Sequence, residues 1–293
     1  MYKESTRQRV GLYEKALPND ISWEEKLKTT KLLGFDFLEI SVDESDERRS
    51  RLDWSEEAIY KLRRICERQG IHIQSMCLSA HRKYPFGSHD SDIRNRAKTH
   101  MEKALSFSYR LGIRVIQLAG YDVYYESSDE KTHQNFVDGI KLSSRLAERA
   151  GVMLAVEIMD TSYLNSLVKF EILNRTVGSP YFTAYPDVGN ITGWNLDVCS
   201  ELLLAMPHIT QIHLKDTKKI RPGFPGQFRN LVIGEGDVDF TAVFKTLKVT
   251  NCNVPLVVEM WAQDSDWMDN ILSAQQHLNK ACQEAQLPDL FLT

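Results

Sequence analysis

The chain has 293 residues, 42% of them hydrophobic and 26% charged, a balance ordinary for a soluble globular protein of one large or two average domains. Its net charge of −4 offers no basic face for nucleic acid or a membrane surface. The five cysteines are odd in number and lack CxxC spacing or a zinc-site pattern, so reduced thiols are expected rather than disulfides. MYKESTRQRV at the N-terminus carries no apolar signal core, and no apolar run approaches the ~20 residues of a membrane helix. A cytoplasmic protein is the expectation.

Short β-rich runs alternate with longer amphipathic patterns along the chain. RVGLY (9–13) reads as a strand and ISWEEKLKTTKLLG (21–34) as a helix closing on Gly34. FDFLEISVD (35–43) follows as a strand, then a helix bracketed by Ser55 as N-cap and Gly70 as terminator. IHIQSMCLSA (71–80), a helix from about Asp90 to Gly112, IRVIQLAG (113–120) and a helix over 129–151 continue the alternation. The second half repeats it, with strands in VMLAVEIMD (152–160), YFTAYPDVGN (181–190), ITQIHLKD (209–216) and VPLVVEMW (254–261). Helices are predicted over 165–178, 196–206, 240–249 and from Trp267 to about Ala285.

Eight such units without a linker or composition shift predict one (β/α)8 TIM barrel spanning 1–293, a fold of typically ~250 residues. An open doubly wound sheet would carry a Gly-rich first turn; here that turn is YEKALPND.

Barrel enzymes build their sites at the C-terminal ends of strands, so carboxylates there carry information. LVVEMW (256–261) and LAVEIM (154–159) each set a glutamate inside a run that otherwise reads as buried and apolar. An unpartnered buried charge costs several kcal/mol, which calls for a partner or a cation. Four consecutive strand ends deliver Glu157, Asp187, His213 and Glu259 to one rim. Three carboxylates and one imidazole would repel and desolvate one another without a cation, and the mixed O/N set suits one divalent ion, Zn, Mn, Mg or Co. Any one of the four alone would read as a salt-bridged or core residue; the set of four is what points to metal.

EIMD (157–160), YPDVGN (185–190), HLKDT (213–217), GEGDVDF (234–240) and VVEMW (257–261) together resemble the xylose-isomerase-like barrels of sugar isomerases and epimerases. GLYEKALP (11–18), GFDFLEISVDESDERRSRLDW (34–54), SMCLSAHRKYPFGS (75–88) and IRVIQLAGYDVYY (113–125) are similar, more narrowly, to the L-ribulose-5-phosphate (L-xylulose-5-phosphate) 3-epimerase family of bacterial ascorbate and pentose utilisation. The similarity covers nearly the whole chain.

The resemblance implies metal-dependent 3-epimerisation of a ketopentose 5-phosphate, L-xylulose 5-phosphate to L-ribulose 5-phosphate, through a cis-enediolate. It makes Glu157 and Glu259 ligands and acid/base catalysts together, and Asp187 and His213 ligands only. It also implies a homodimer. Related epimerases carry a sugar-contacting histidine where this chain has Asn190, which leaves that contact open. For the phosphate, Lys215, Lys218, Lys219 and Arg221 follow strand seven beside the GEG turn (234–236), the usual anion site of this fold. His81 and Arg82 after strand three are a second candidate anchor. Glu39 is read as contacting substrate or, in preference, pairing with a nearby Lys or Arg, DESDERRSR (43–51) as a solvated loop with i,i+4 pairs, and Tyr13 and Trp261 as either pocket walls or core.

A free-ketose 3-epimerase and an aldose–ketose isomerase fit the same tetrad. A repair endonuclease of this superfamily would need further metal ligands and a basic face, and a non-catalytic barrel would lack a ligand or base. Neither applies.

Overall fold

A computed structural model of the chain describes residues 7–263 and 265–291. Its helices begin and end for local reasons. The Ser55 hydroxyl accepts the Ala58 N–H, and Gly70 closes the helix with φ 65°, a left-handed conformation that costs glycine little. Ser22 and Glu25 form a reciprocal capping box at another start. Asp90 and Gly112 bound a third helix in the same way.

The strands are β1 (Val10–Tyr13), β2 (Phe37–Val42), β3 (His72–Leu78), β4 (Val115–Ala119), β5 (Met153–Glu157), β6 (Phe182–Tyr185), β7 (Ile212–Leu214) and β8 (Leu256–Val258). The α-helices are α1 (Trp23–Leu32), α2 (Asp46–Arg49), α3 (Glu56–Gln69), α4 (Ser91–Leu111), α5 (Glu130–Ala150), α6 (Leu167–Val177), α7 (Val188–Gly193), α8 (Val198–Ala205), α9 (Phe240–Val249) and α10 (Trp267–Glu284). All strand pairings are parallel, in the order β6-β5-β4-β3-β2-β1-β8-β7. The β6/β7 seam closes only through isolated bridges, Ala184 to Ile209 and Asp187 to His213, with the His213 N–H donating to Pro186 O at 2.9 Å. The eight strands thus form a nearly closed barrel, as predicted. Aliphatic side chains from strands and helices pack the layer between them. No helix among the described residues is long and apolar enough to cross a membrane. All five cysteines are free thiols.

Two expectations need correction. YFTAYPDVGN is not strand throughout: β6 stops at Tyr185, and Asp187 caps α7, its side chain accepting the Asn190 N–H. The DESDERRSR stretch is mostly solvated but is not a loop. It forms α2 and a 3₁₀ turn, and Arg51 is only 5% exposed because its guanidinium folds inward onto Glu14. Both Arg51 terminal nitrogens reach that carboxylate, at 2.6 and 2.9 Å, while Lys26 Nζ and the Ser41 N–H donate to it at 2.8 and 2.9 Å.

Candidate metal centre and active site

The seam that closes the barrel also assembles its charged centre. Glu157 ends β5, Asp187 follows β6, His213 lies in β7 and Glu259 follows β8. One ligand-competent atom from each lies within 4.8 Å of the others. Their exposures are 5%, 0%, 0% and 7%, so three carboxylates share a site nearly sealed from water. Gly189 makes this closeness possible: a Cβ there would lie 2.6 Å from Thr217 Oγ1 and 2.7 Å from Lys215 O, forcing α7 off β7.

His213 Nδ1 faces the carboxylates, 2.9 Å from Glu157 Oε1 and 3.4 Å from Glu259 Oε2. Lys215 Nζ sits 2.6 Å from Asp187 Oδ2 and 3.6 Å from Glu259 Oε2. Gln117 donates to Glu157 Oε2. Burial lifts the Glu157 carboxyl to about 7, against the pull of His213, and burial raises Asp187 as well. Glu259 moves the other way: burial opposes its charge, but Lys215 and His213 outweigh it and hold the group below its usual value. Burial also disfavours charge on His213, yet Glu259 and Glu39 overcome that and keep its pKa well above the usual one. Glu259 Oε2 has no hydrogen-bond partner. An oxygen-rich, one-imidazole set with an unsatisfied buried carboxylate oxygen fits a divalent cation.

Above the centre opens a pocket lined by Glu157, Glu259, Tyr13 and Trp261, the two rings in T-shaped contact at 6.4 Å. Four cations also line it: Lys15, Arg82, Lys215 and Arg229. Lys15 pairs with Asp43 at 2.6 Å, and Arg229 with Asp160 at 2.8 Å. Arg82 lies over the Tyr124 ring at 4.9 Å, and its buried Nε lacks a hydrogen-bond partner. Cys77 lines the pocket too, but burial and the Glu39, Glu157 and Glu259 charges push its thiol well above the usual range, so it stays protonated.

The profile of the xylose isomerase-like TIM barrel family matches residues 27–281. A protein of Escherichia coli K12, provisionally named an L-ribulose-5-phosphate 3-epimerase, is 48% identical over 278 residues, 94% of this chain and 97% of that one. The chain belongs to this family. The L-ribulose-5-phosphate 3-epimerase of Escherichia coli O157:H7 is 47% identical over 257 residues, 88% of each chain. A solved L-ribulose 3-epimerase superposes with a TM-score of 0.74, covering 95% of this chain and 97% of that one; at 18% identity it attests the fold.

Within this epimerase family frame, the remaining sequence candidates fall into two groups. Lys215 lines the pocket, and Asn190 stands behind it, accepting from Lys215 Nζ at 2.7 Å and donating to Ile158 O at 2.9 Å. His81, Lys218 and Lys219 are not among the lining residues. His81 is a core histidine, stacked on Phe86 at 4.6 Å with Nε2 3.1 Å from Ala97 O. Lys218 exchanges backbone hydrogen bonds with Gln227, and the Lys219 N–H donates to Asp237. Arg221 is 62% exposed and forks onto Asp237. The GEG turn has no donors to spare: the Gly234 and Gly236 N–H groups both donate to Asp216 Oδ2 at 2.8 Å. An internal carboxylate fills the place expected for phosphate. Among the described residues Glu39 pairs with no Lys or Arg; it meets His213 inside the barrel. Sequence reasoning missed Lys15 and Arg229, although Lys15 stands in the rim loop after β1 where the barrel rule directs attention.

Proposed function

We propose that this chain is a metal-dependent 3-epimerase interconverting L-xylulose 5-phosphate and L-ribulose 5-phosphate, with one divalent ion, Zn, Mn, Mg or Co, held by Glu157, Asp187, His213 and Glu259. The observation that carries the reading is that two glutamates, Glu157 and Glu259, belong to the four-residue cluster and also line the pocket above it. A divalent cation held there would supply Lewis acidity to the reacting end of the sugar.

The protein groups do the proton work. One glutamate takes the C3 proton, leaving a planar cis-enediolate, and the other returns a proton to C3 from the opposite face. The glutamate that returns the proton must enter the step carrying it. Lys215, oriented by Asn190, offers an ammonium to an oxygen gaining negative charge. The phosphate falls to the cations on the β1–β3 side, and Arg82, which lines the pocket and meets Glu44 only at 4.0 Å, is the best placed. Arg229 is engaged by Asp160.

Incubating the metal-loaded enzyme with L-ribulose 5-phosphate, beside free L-ribulose, in deuterium oxide tests this by NMR. Loss of the C3 proton with appearance of the xylulose epimer is expected, faster for the phosphorylated sugar. Exchange at C1 would make it an isomerase, and equal rates for the two sugars would remove the phosphate from the reading.

A further inference from the structure

Beneath the metal centre, the barrel interior holds a second carboxylate that the proposed reaction does not use. Glu39, in β2, is completely buried. Its Oε1 lies 2.8 Å from His213 Nε2, on the opposite side of the imidazole from the three rim carboxylates. Its Oε2 is saturated by different groups: the Tyr185 hydroxyl donates at 2.8 Å and the Ser75 hydroxyl at 2.6 Å. Gln211 Nε2 in turn donates to Ser75 Oγ at 3.0 Å, so that hydroxyl must spend its own proton on Glu39. Ser75, Tyr185 and Gln211 are, like Glu39, sealed from solvent.

This arrangement leaves Glu39 one free function, which is to accept the Nε2–H of His213. Nδ1, facing Glu157 and Glu259, is then the nitrogen that would give up its proton and turn a lone pair to a cation in the cluster. We propose that Glu39 is a positioning residue that fixes the His213 tautomer and ring plane, so that His213 ligates through Nδ1 while its Nε2–H is held by Glu39. The inference rests on the metal site proposed above. Its energetic basis is general: a carboxylate behind a ligating imidazole raises its basicity and locks its orientation, and loss of such a partner lowers metal affinity 10–100-fold. Strands β2 and β7 are not paired neighbours, so this contact spans the barrel interior.

The test uses the full chain and metal ions alone. Zn and Mn affinities are measured by chelator competition for the wild type, Glu39→Gln, Tyr185→Phe and His213→Ala. Glu39→Gln should bind roughly 10–100-fold more weakly, Tyr185→Phe should fall between it and the wild type, and KM should move less than metal affinity. In ¹⁵N-imidazole NMR of the Zn-loaded wild type, the His213 proton should sit on Nε2, in slow exchange with water. A proton on Nδ1, or a Glu39→Gln affinity within twofold of wild type while His213→Ala has lost the ion, would overturn the role of Glu39 and leave the metal site standing. Retention of the ion by His213→Ala would overturn both. The NMR measurement needs no variant, so it decides the matter even where Glu39→Gln does not fold.

Discussion

Replacing Glu14 with glutamine should be among the most damaging isosteric changes in this chain. The carboxylate is fully buried and collects two Arg51 contacts, the Lys26 ammonium and the Ser41 N–H. Arg51 and Lys26 are themselves 5% and 2% exposed, so neither can turn to water when the charge goes. Breaking a buried ion pair from one side costs about 3–5 kcal/mol, because the stranded partner keeps its desolvation penalty. Unfolding entropy of roughly 2 cal/mol/K per residue, over 293 residues, turns that into a Tm lower by about 5–8 °C. Burial opposes the charge on Glu14, but Arg51 and Lys26 outweigh it and depress its pKa, so its contribution is present above the ordinary carboxylate range and lost as pH falls below it. The assay is calorimetry at pH 7 and pH 4, with Glu57→Gln as control, since the Glu57–Lys61 pair is exposed and should not move Tm. A Glu14→Gln Tm within 1 °C of wild type would refute the reasoning, as would a deficit that does not shrink in acid.

Glu157→Gln and Glu259→Gln should each lower kcat about 10²–10⁴-fold, the range for loss of a positioned acid or base, and elemental analysis should show reduced metal. Metal affinity should rise with pH through about 7, because Glu157 is protonated below that value in the metal-free protein and must ionise to ligate. Calorimetry in buffers of differing ionisation enthalpy should count more proton release at pH 6 than at pH 8, the Glu157 proton being the difference. Arg82→Ala should raise KM for the phosphorylated ketose about 10–100-fold, as expected for a charge-assisted hydrogen bond, and leave the free ketose unaffected. Lys218→Ala with Lys219→Ala should change neither, and a selective effect there would return the phosphate to the β7 loop.

What could be read from the sequence was local or periodic. The α3 and α4 boundaries followed from Ser55, Gly70, Asp90 and Gly112, each acting on backbone groups within a few residues. The tetrad was legible because the barrel makes strand ends equivalent, so four carriers of lone pairs at matching positions had to converge. What escaped depended on partners far along the chain. The Glu14–Arg51 pair spans 37 residues and draws the last residue of an otherwise solvated charge run into the interior. The sequence separation of 174 between Glu39 and His213 conceals a contact made only across the barrel interior. Nothing local marks Asp216; only the folded turn reveals that it consumes the donors of Gly234 and Gly236.

The seam between β6 and β7 gives the metal centre a mechanical meaning. Every other neighbouring pair in the barrel is stitched by a ladder, whereas this one is basted with isolated bridges, one of them between Asp187 and His213 themselves. An ion gripping both residues would therefore be a clasp on the least-laddered seam of the barrel, and its removal should loosen the barrel there first. Hydrogen exchange at the Thr210 and His213 amides, which donate across that seam, would then report metal loading as directly as an assay of turnover.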